Sequence, residues 1–414
     1  MQSGAVGDYA SAVASIDSAL DVPSPDALPT DWKGDSALAV LERSIFLQAA
    51  ENYADSSAGL SAAEQELELL DLKSDPIGEI GSYIYSDSSR TYKTPPSERL
   101  AINAINLLNY LARGDLDGAA VEARRFQVMR EYLASLEIEA DGPATIGTYL
   151  AGFVFEKRGE GDRALRYYDE ALGTGALESL RAPVHRLART NEYRGRNLDA
   201  FLAGAAHDEP ADADGEILVV INAGRVPHKV PERIPVGAAV GIAGSILTGD
   251  IDPLRYGAGK VVVYPAMVST PSSLGSASVA INGSPVAIER LVDLGAAIER
   301  EYEDAKPRIL AAALTRMAVR AAAAEGVRQA GKQESTLLGD VLSIATEAVL
   351  VALDRPDTRS WMTLPDQVLV ARVPVPAGDH DVEVGFSGDP SSLRRFAVQV
   401  PAGGFATVVV TEPR

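Results

Sequence analysis

The chain offers few residues whose type and spacing could do chemistry. Its histidines are His185, His207, His228 and His380, and none falls in the H-E-x-x-H spacing that sets two imidazoles on one helix face for zinc. Cysteine is absent, which removes disulfides, thiolate nucleophiles and Cys-ligated metal. His207-Asp208-Glu209 lies in a polar stretch and reads as a solvated linker rather than a metal site. No Gly-x-Ser-x-Gly elbow supports a serine hydrolase. Gly259-Lys260 is followed by Val261 where a phosphate-binding loop needs Ser or Thr, and Leu254 stands where that loop opens with Gly. Gly237, Gly241 and Gly244 lack the dinucleotide spacing and read as close packing in an apolar connection. The expectation is a protein with no catalytic residue, no metal and no cofactor: not an enzyme.

Two groups remain as binding candidates. Asn222 to Lys229 (NAGRVPHK) follows a β-rich run, and a loop there would present Arg225, His228 and Lys229 together to a carboxylate or an anionic glycan, unless it is a plain solvated turn. In Val121-Glu122-Ala123-Arg124-Arg125, Glu122 and Arg125 are three apart on a helix and share a face, so they either pair or line a concave peptide groove beside Arg124.

The elements that must position these groups follow from length and pattern. At 414 residues the chain is expected to hold two or three domains, and 46% hydrophobic residues can fill a sizeable core. Lys plus Arg is 38 against 58 Asp plus Glu, a net charge of −20 that repels nucleic-acid phosphate and anionic lipid. The excess is concentrated at the start, where residues 1–90 carry 16 acids and 4 bases. No stretch reaches the roughly 20 apolar residues of a membrane span. Residues 1–35, Pro-rich from Asp21 to Lys33, read as a flexible acidic lead-in.

Residues 36–205 read as a TPR-like helical array. Leu38, Val40, Leu41, Ile45, Phe46 and Ala49 recur at helical spacing. Thr148 to Leu172 fills the tetratricopeptide positions with Gly152, Phe155, Gly159, Ala164, Tyr168 and Ala171, and Glu98 to Glu131 is a weaker copy. Small Gly152 and Ala164 would let paired helices approach, and Tyr168 would fill the gap between them. After the polar linker Ala206 to Gly215 come strand patterns at Glu216 to Ile221, Lys260 to Tyr264, and Ala277 to Ile281 with Pro285 to Ile288, the last two joined by Asn282-Gly283. Helical periodicity then covers residues 289–354, with Pro307 expected to kink or split it. Strands return at Gln367 to Val373, His380 to Phe386, Phe396 to Val400 and Ala406 to Val410. The expected class is α+β: an N-terminal TPR-like array, then at 215–414 a β-sandwich domain with a helical insertion at 289–354.

Several strings together resemble the uncharacterised bacterial tetratricopeptide-repeat lipoproteins. They are the Tyr92 to Glu98 entry into a helix, Asn109-Tyr110-Leu111, Gly114-Asp115, Val121 to Arg125, Gly224 to Lys229, Asn282-Gly283, Ala371-Arg372, Pro376-Ala377-Gly378 and, most specifically, Asp357 to Pro365 (DTRSWMTLP). The resemblance implies a scaffold on the periplasmic side of the cell envelope that binds a protein partner among regulators of peptidoglycan synthesis, held at the membrane only by an N-terminal lipid. Met1 is read as standing where such a protein carries its lipidated Cys. The partner-facing residues would be Tyr92, Asn109, Glu122, Arg124, Arg125, Arg225, His228 and Lys229, and the alternative is a cell-wall glycan-binding module or enzyme using the Arg225–Lys229 loop. Arg359 and Trp361 are expected to be structural, the guanidinium capping helix carbonyls and the indole plugging the seam between domains.

Overall fold

A computed structural model describes residues 7–69, 92–138, 140–204, 214–243, 261–331 and 356–414. Helix α1 (Tyr9–Leu20) lies inside the expected flexible lead-in, which is thereby corrected. Asp8 caps it by accepting from the Ser11 N–H at 3.1 Å, and Tyr9, Ala12 and Val13 recur on one face and pack on Phe46, Leu47 and Ala49. Arg43, fully buried, donates to Asp17 at 2.8 Å and ties α1 to the next helix.

The helical layer continues with α2 (Ser36–Ala49) and α3 (Tyr53–Glu66), a short parallel bridge of β1 (Glu68–Leu69) and β2 (Lys93–Thr94), then α4 (Pro96–Ala112), α5 (Leu116–Ser135), α6 (Asp141–Lys157), α7 (Gly161–Ala171), α8 (Arg181–Ala188) and α9 (Arg196–Leu202). Neighbours in sequence pack as pairs, α2 with α3, α4 with α5, α6 with α7. Gly114 (φ +70) and Gly159 (φ +76) close α4 and α6 in the left-handed conformation that glycine adopts without steric cost. A Cβ on Gly152 would lie 2.4 Å from the Tyr168 ring, so that glycine is what allows α6 and α7 to approach.

The remaining elements are β3 (Gly215–Ala223), β4 (His228–Pro235), α10 (Val236–Ala243), β5 (Val261–Val268), β6 (Ala277–Ile281), β7 (Ser284–Val286), β8 (Glu289–Asp293), α11 (Leu294–Gly331), β9 (Gln367–Val375), β10 (Gly378–Phe386), β11 (Asp389–Val400) and β12 (Phe405–Glu412). One four-stranded sheet has the order β12-β3-β9-β8, with β12 and β3 parallel; the other, β11-β10-β6-β7, is antiparallel throughout. Both β portions of the chain thus contribute to both sheets. Asn282 (φ 50) and Gly283 (φ 76) make the tight turn between β6 and β7.

Alternation along β3 divides the core. Ile217, Val219 and Ile221 meet Val279, Val382 and Val384 of the second sheet, whereas Leu218 and Val220 join the helical residues Leu107, Phe153 and Val154. The first sheet is therefore the middle layer, and the helical layer shares one apolar core with it. Arg372 of β9, 1% exposed, is held there by Glu156 of α6 at 2.7 Å and by Glu216 of β3, and its guanidinium lies over the Phe153 ring. Both carboxyls are kept below the usual range by Arg372 and Lys157, against the opposing cost of burial.

Three further expectations are corrected. The stretch 289–354 does not begin as helix: residues 289–293 are strand β8, paired with β9, because their register sets Leu291 in the core. Of the kink or split expected at Pro307, the split is excluded, since Pro307 sits inside a single helix of 38 residues. Val236–Ala243, read as a connection, is helix α10, packed with β5 under Tyr302, Ile309, Leu310 and Ala313 of α11. The second half of the expected insertion, residues 332–354, and the linker through residue 213 lie outside the described residues.

Candidate functional site

A cavity of about 400 Å³ opens where three parts of the molecule converge: the start of α4, the turn and first residues of β4, and one face of α11. That volume lies within the range of small-molecule sites, and the wall is mostly apolar with a few polar groups set in it.

Each polar group is placed by its element. Helix α4 begins Pro95-Pro96-Ser97-Glu98, where Pro at the first turn needs no N–H partner, and all four residues line the cavity. Glu98 is buried; its Oε1 accepts from the Trp361 backbone N–H at 3.1 Å and its Oε2 from the Tyr92 hydroxyl. Lys229, on β4, donates to the Arg359 carbonyl at 3.3 Å and attracts the Glu98 carboxylate electrostatically. Along α11, Ile298, Glu301, Tyr302, Ala305 and Ile309 recur at helical spacing and face the cavity together, so an acid stands in the apolar stripe.

The titration of these groups reports their surroundings. Burial raises Glu98 above the ordinary carboxylic range, opposed by Lys229 and Tyr92. Glu301 is pushed up to about 8, first by desolvation and then by the nearby charge of Glu98, while a bond from the Ser97 N–H pulls the other way. By exposure Glu301 is only half-buried. A side chain crowded by protein yet touched by solvent is one that opens into a recess. Behind Glu98, Glu42 of α2 accepts from the Met362 N–H at 2.7 Å and is raised to about 7, again chiefly by burial.

The Asp357–Pro365 string builds the remaining wall. Arg359 grips Asp357 at 2.8 Å and Asp35 at 2.7 Å and lies over the Tyr92 ring, so its guanidinium braces the seam through carboxylates and an aromatic face. Trp361 is fully buried, the expected plug, but it and Ser360 also line the cavity, and the indole Nε1 and Ser360 Oγ are buried with no hydrogen-bond partner. Both atoms are thus left with hydrogen-bonding capacity at the cavity wall.

Of the residues singled out from sequence, Lys229 and Trp361 line this cavity, and Tyr92 donates to Glu98, which lines it too. Asn109 is internal, accepting from Gln48 at 2.8 Å and donating to Ser56 at 2.9 Å. Glu122 is 1% exposed and takes bonds from Arg125 and Asn103, so it faces inward while Arg124 and Arg125 remain exposed. The expected Arg225–Lys229 loop is corrected. His228 and Lys229 already belong to β4, whose alternation turns His228 toward Thr270, at 2.9 Å, and Lys229 toward the cavity. Gly152, Ala164 and Tyr168 are core positions, Tyr168 donating to Glu156 at 2.7 Å. Glu98, Glu301, Glu42 and Ser360 were not anticipated, although Glu301 within the apolar spacing of α11 was the signal available.

Among the described residues no three His, Asp or Glu side chains converge as a metal site requires, and no helix is long and apolar enough to cross a membrane. No protein family, no curated protein and no solved structure matches the chain.

Proposed function

We propose that this is a binding protein rather than an enzyme, one whose cavity between helical layer, sheet and α11 receives a small ligand. The observation that carries the reading is the set of raised carboxyls, Glu98 and Glu301, in a cavity of about 400 Å³ beside the unpartnered Ser360 Oγ and Trp361 Nε1. Because α4, β4 and α11 all contribute, an occupant would tie the three together and stabilise their arrangement.

In this proposal the paired helices are tetratricopeptide-like, supported by the Gly152–Tyr168 approach, and the two sheets form a sandwich, supported by the apolar cluster they share. The helical layer would hold a protein partner through the exposed face of α5, where Val121, Arg125, Val128 and Tyr132 share a side and Val128 is 67% exposed. The resemblance of the Asp357–Pro365 string supports a lipid-anchored envelope setting near peptidoglycan synthesis.

Trp361 supplies the test, since the chain contains only one other tryptophan, Trp32. In Trp32→Phe protein, a ligand of the cavity changes the remaining indole emission saturably and raises the unfolding temperature. Ala305→Phe, which fills the cavity from α11 without replacing a charged group, abolishes both responses. Ligands that bind the Ala305→Phe protein unchanged would refute the reading.

A further inference from the structure

We infer that the cavity takes a ligand bearing a protonated amine on an apolar body, its ammonium seated by Glu98 and Glu301; this rests on the cavity being a ligand site. The charged groups of the wall decide the sign. Among the described residues, the charged groups lining the cavity are Glu98 from α4, Glu137 after α5, Glu301, Asp304 and Arg308 from α11, and Lys229 from β4. An anionic ligand would meet Glu137 and Asp304 and gain no counter-charge from Glu98 and Glu301, which resist ionisation in the empty cavity, whereas a cation gains both as they ionise.

The chemistry also selects an organic cation over a metal ion. A metal needs several oxygen donors converging at short range, and the described residues supply no such group of three. An ammonium needs only two or three acceptors, and the apolar walls, Met267, Ile298, Tyr302 and Ile309, then have a carbon body to cover. Glu98 and Glu301 in the empty cavity resist ionisation because burial opposes it first and a neighbouring carboxyl second, Asp357 for Glu98 and Glu98 for Glu301. An ammonium between them removes both penalties, so binding must lower their proton affinity and release a proton. With Glu301 at about 8 and an amine charged in solution, release at pH 7 approaches one proton per ligand.

Hexylammonium, hexanol and hexanoate share one apolar body and differ only in the head group. Calorimetry of the full chain with each, at pH 7 in two buffers of different ionisation enthalpy, gives affinity and proton count together. The expected result is hexylammonium binding at least tenfold tighter than hexanol, no hexanoate binding, and release of close to one proton. Glu301→Gln should weaken the amine tenfold or more and reduce proton release. Glu303→Gln, exposed on the same helix and paired with Lys306, should change neither. Hexanoate binding as tightly as the amine, lost in Ala305→Phe, would overturn the ligand class and leave the site standing. If none of the three binds, the ligand class and the site reading fail together.

Discussion

Glu301→Gln should change how the stability of this protein depends on pH, and the sign follows from the direction of the shift. The native carboxyl holds its proton up to about pH 8, whereas in the unfolded chain it ionises near the ordinary 4.5. A raised acid contributes stability that is complete below the unfolded value and is lost as pH rises toward the folded one. At about 1.4 kcal/mol per pH unit, this one group costs on the order of 3 kcal/mol by pH 7 relative to pH 5, less if Glu98 relaxes with it. Gln keeps an oxygen for the Ser97 N–H and cannot ionise. Urea unfolding at pH 5, 6, 7 and 8 should therefore show the variant within about 1 kcal/mol of wild type at pH 5 and about 2 to 3 kcal/mol more stable at pH 8. A difference that stays constant from pH 5 to 8, or a variant that loses ground as pH rises, would refute the placement of Glu301 in a desolvated recess beside Glu98.

Three other substitutions test the frame around the cavity. Trp361→Ala should cost about 2 to 4 kcal/mol in denaturant unfolding, slightly below a typical buried indole because its Nε1 leaves no broken bond behind, and Trp361→Phe clearly less. Arg372→Met should cost about 3 to 5 kcal/mol at pH 7, since Glu156 and Glu216 lose their shared guanidinium; the loss should shrink on acidification as the carboxyls protonate, which a pH series of urea midpoints reads directly. Gly152→Ala should lower stability by about 1 to 3 kcal/mol, because a Cβ 2.4 Å from the Tyr168 ring forces that side chain off Glu156.

The strands were legible where one side of the alternation was apolar and turns were marked by Asn-Gly or Pro-Ala-Gly, as at β6 with β7 and from β9 to β12. The helix pairs were legible from their spacing and closing glycines. Strand β4 was hidden by Pro231 and Pro235, which are tolerated because, among the described residues, β4 pairs with β5 alone in a two-stranded ribbon. Strand β8 was hidden because only Leu291 of its five residues is fully buried. Helix α1 was masked by the Pro-rich acidic stretch that follows it, its stability coming from contacts distant in sequence, Tyr9 donating to Glu412 and Arg43 to Asp17. The site itself was least legible. Glu98, Lys229, Glu301 and Trp361 come from four separate stretches, and no spacing rule relates them. Lys229 and Trp361 were singled out from sequence for other roles, and Glu98 and Glu301 were not.

Hexylammonium titrated into Trp32→Phe protein at pH 7, with Ala305→Phe in the same background as the blocked partner, tests the occupied cavity most directly. A saturable change in Trp361 emission in the first protein, absent from the second and accompanied by a rise in unfolding temperature, is the predicted result. Unchanged emission in both proteins, or an equal response in both, would contradict the claim that this cavity receives an amine.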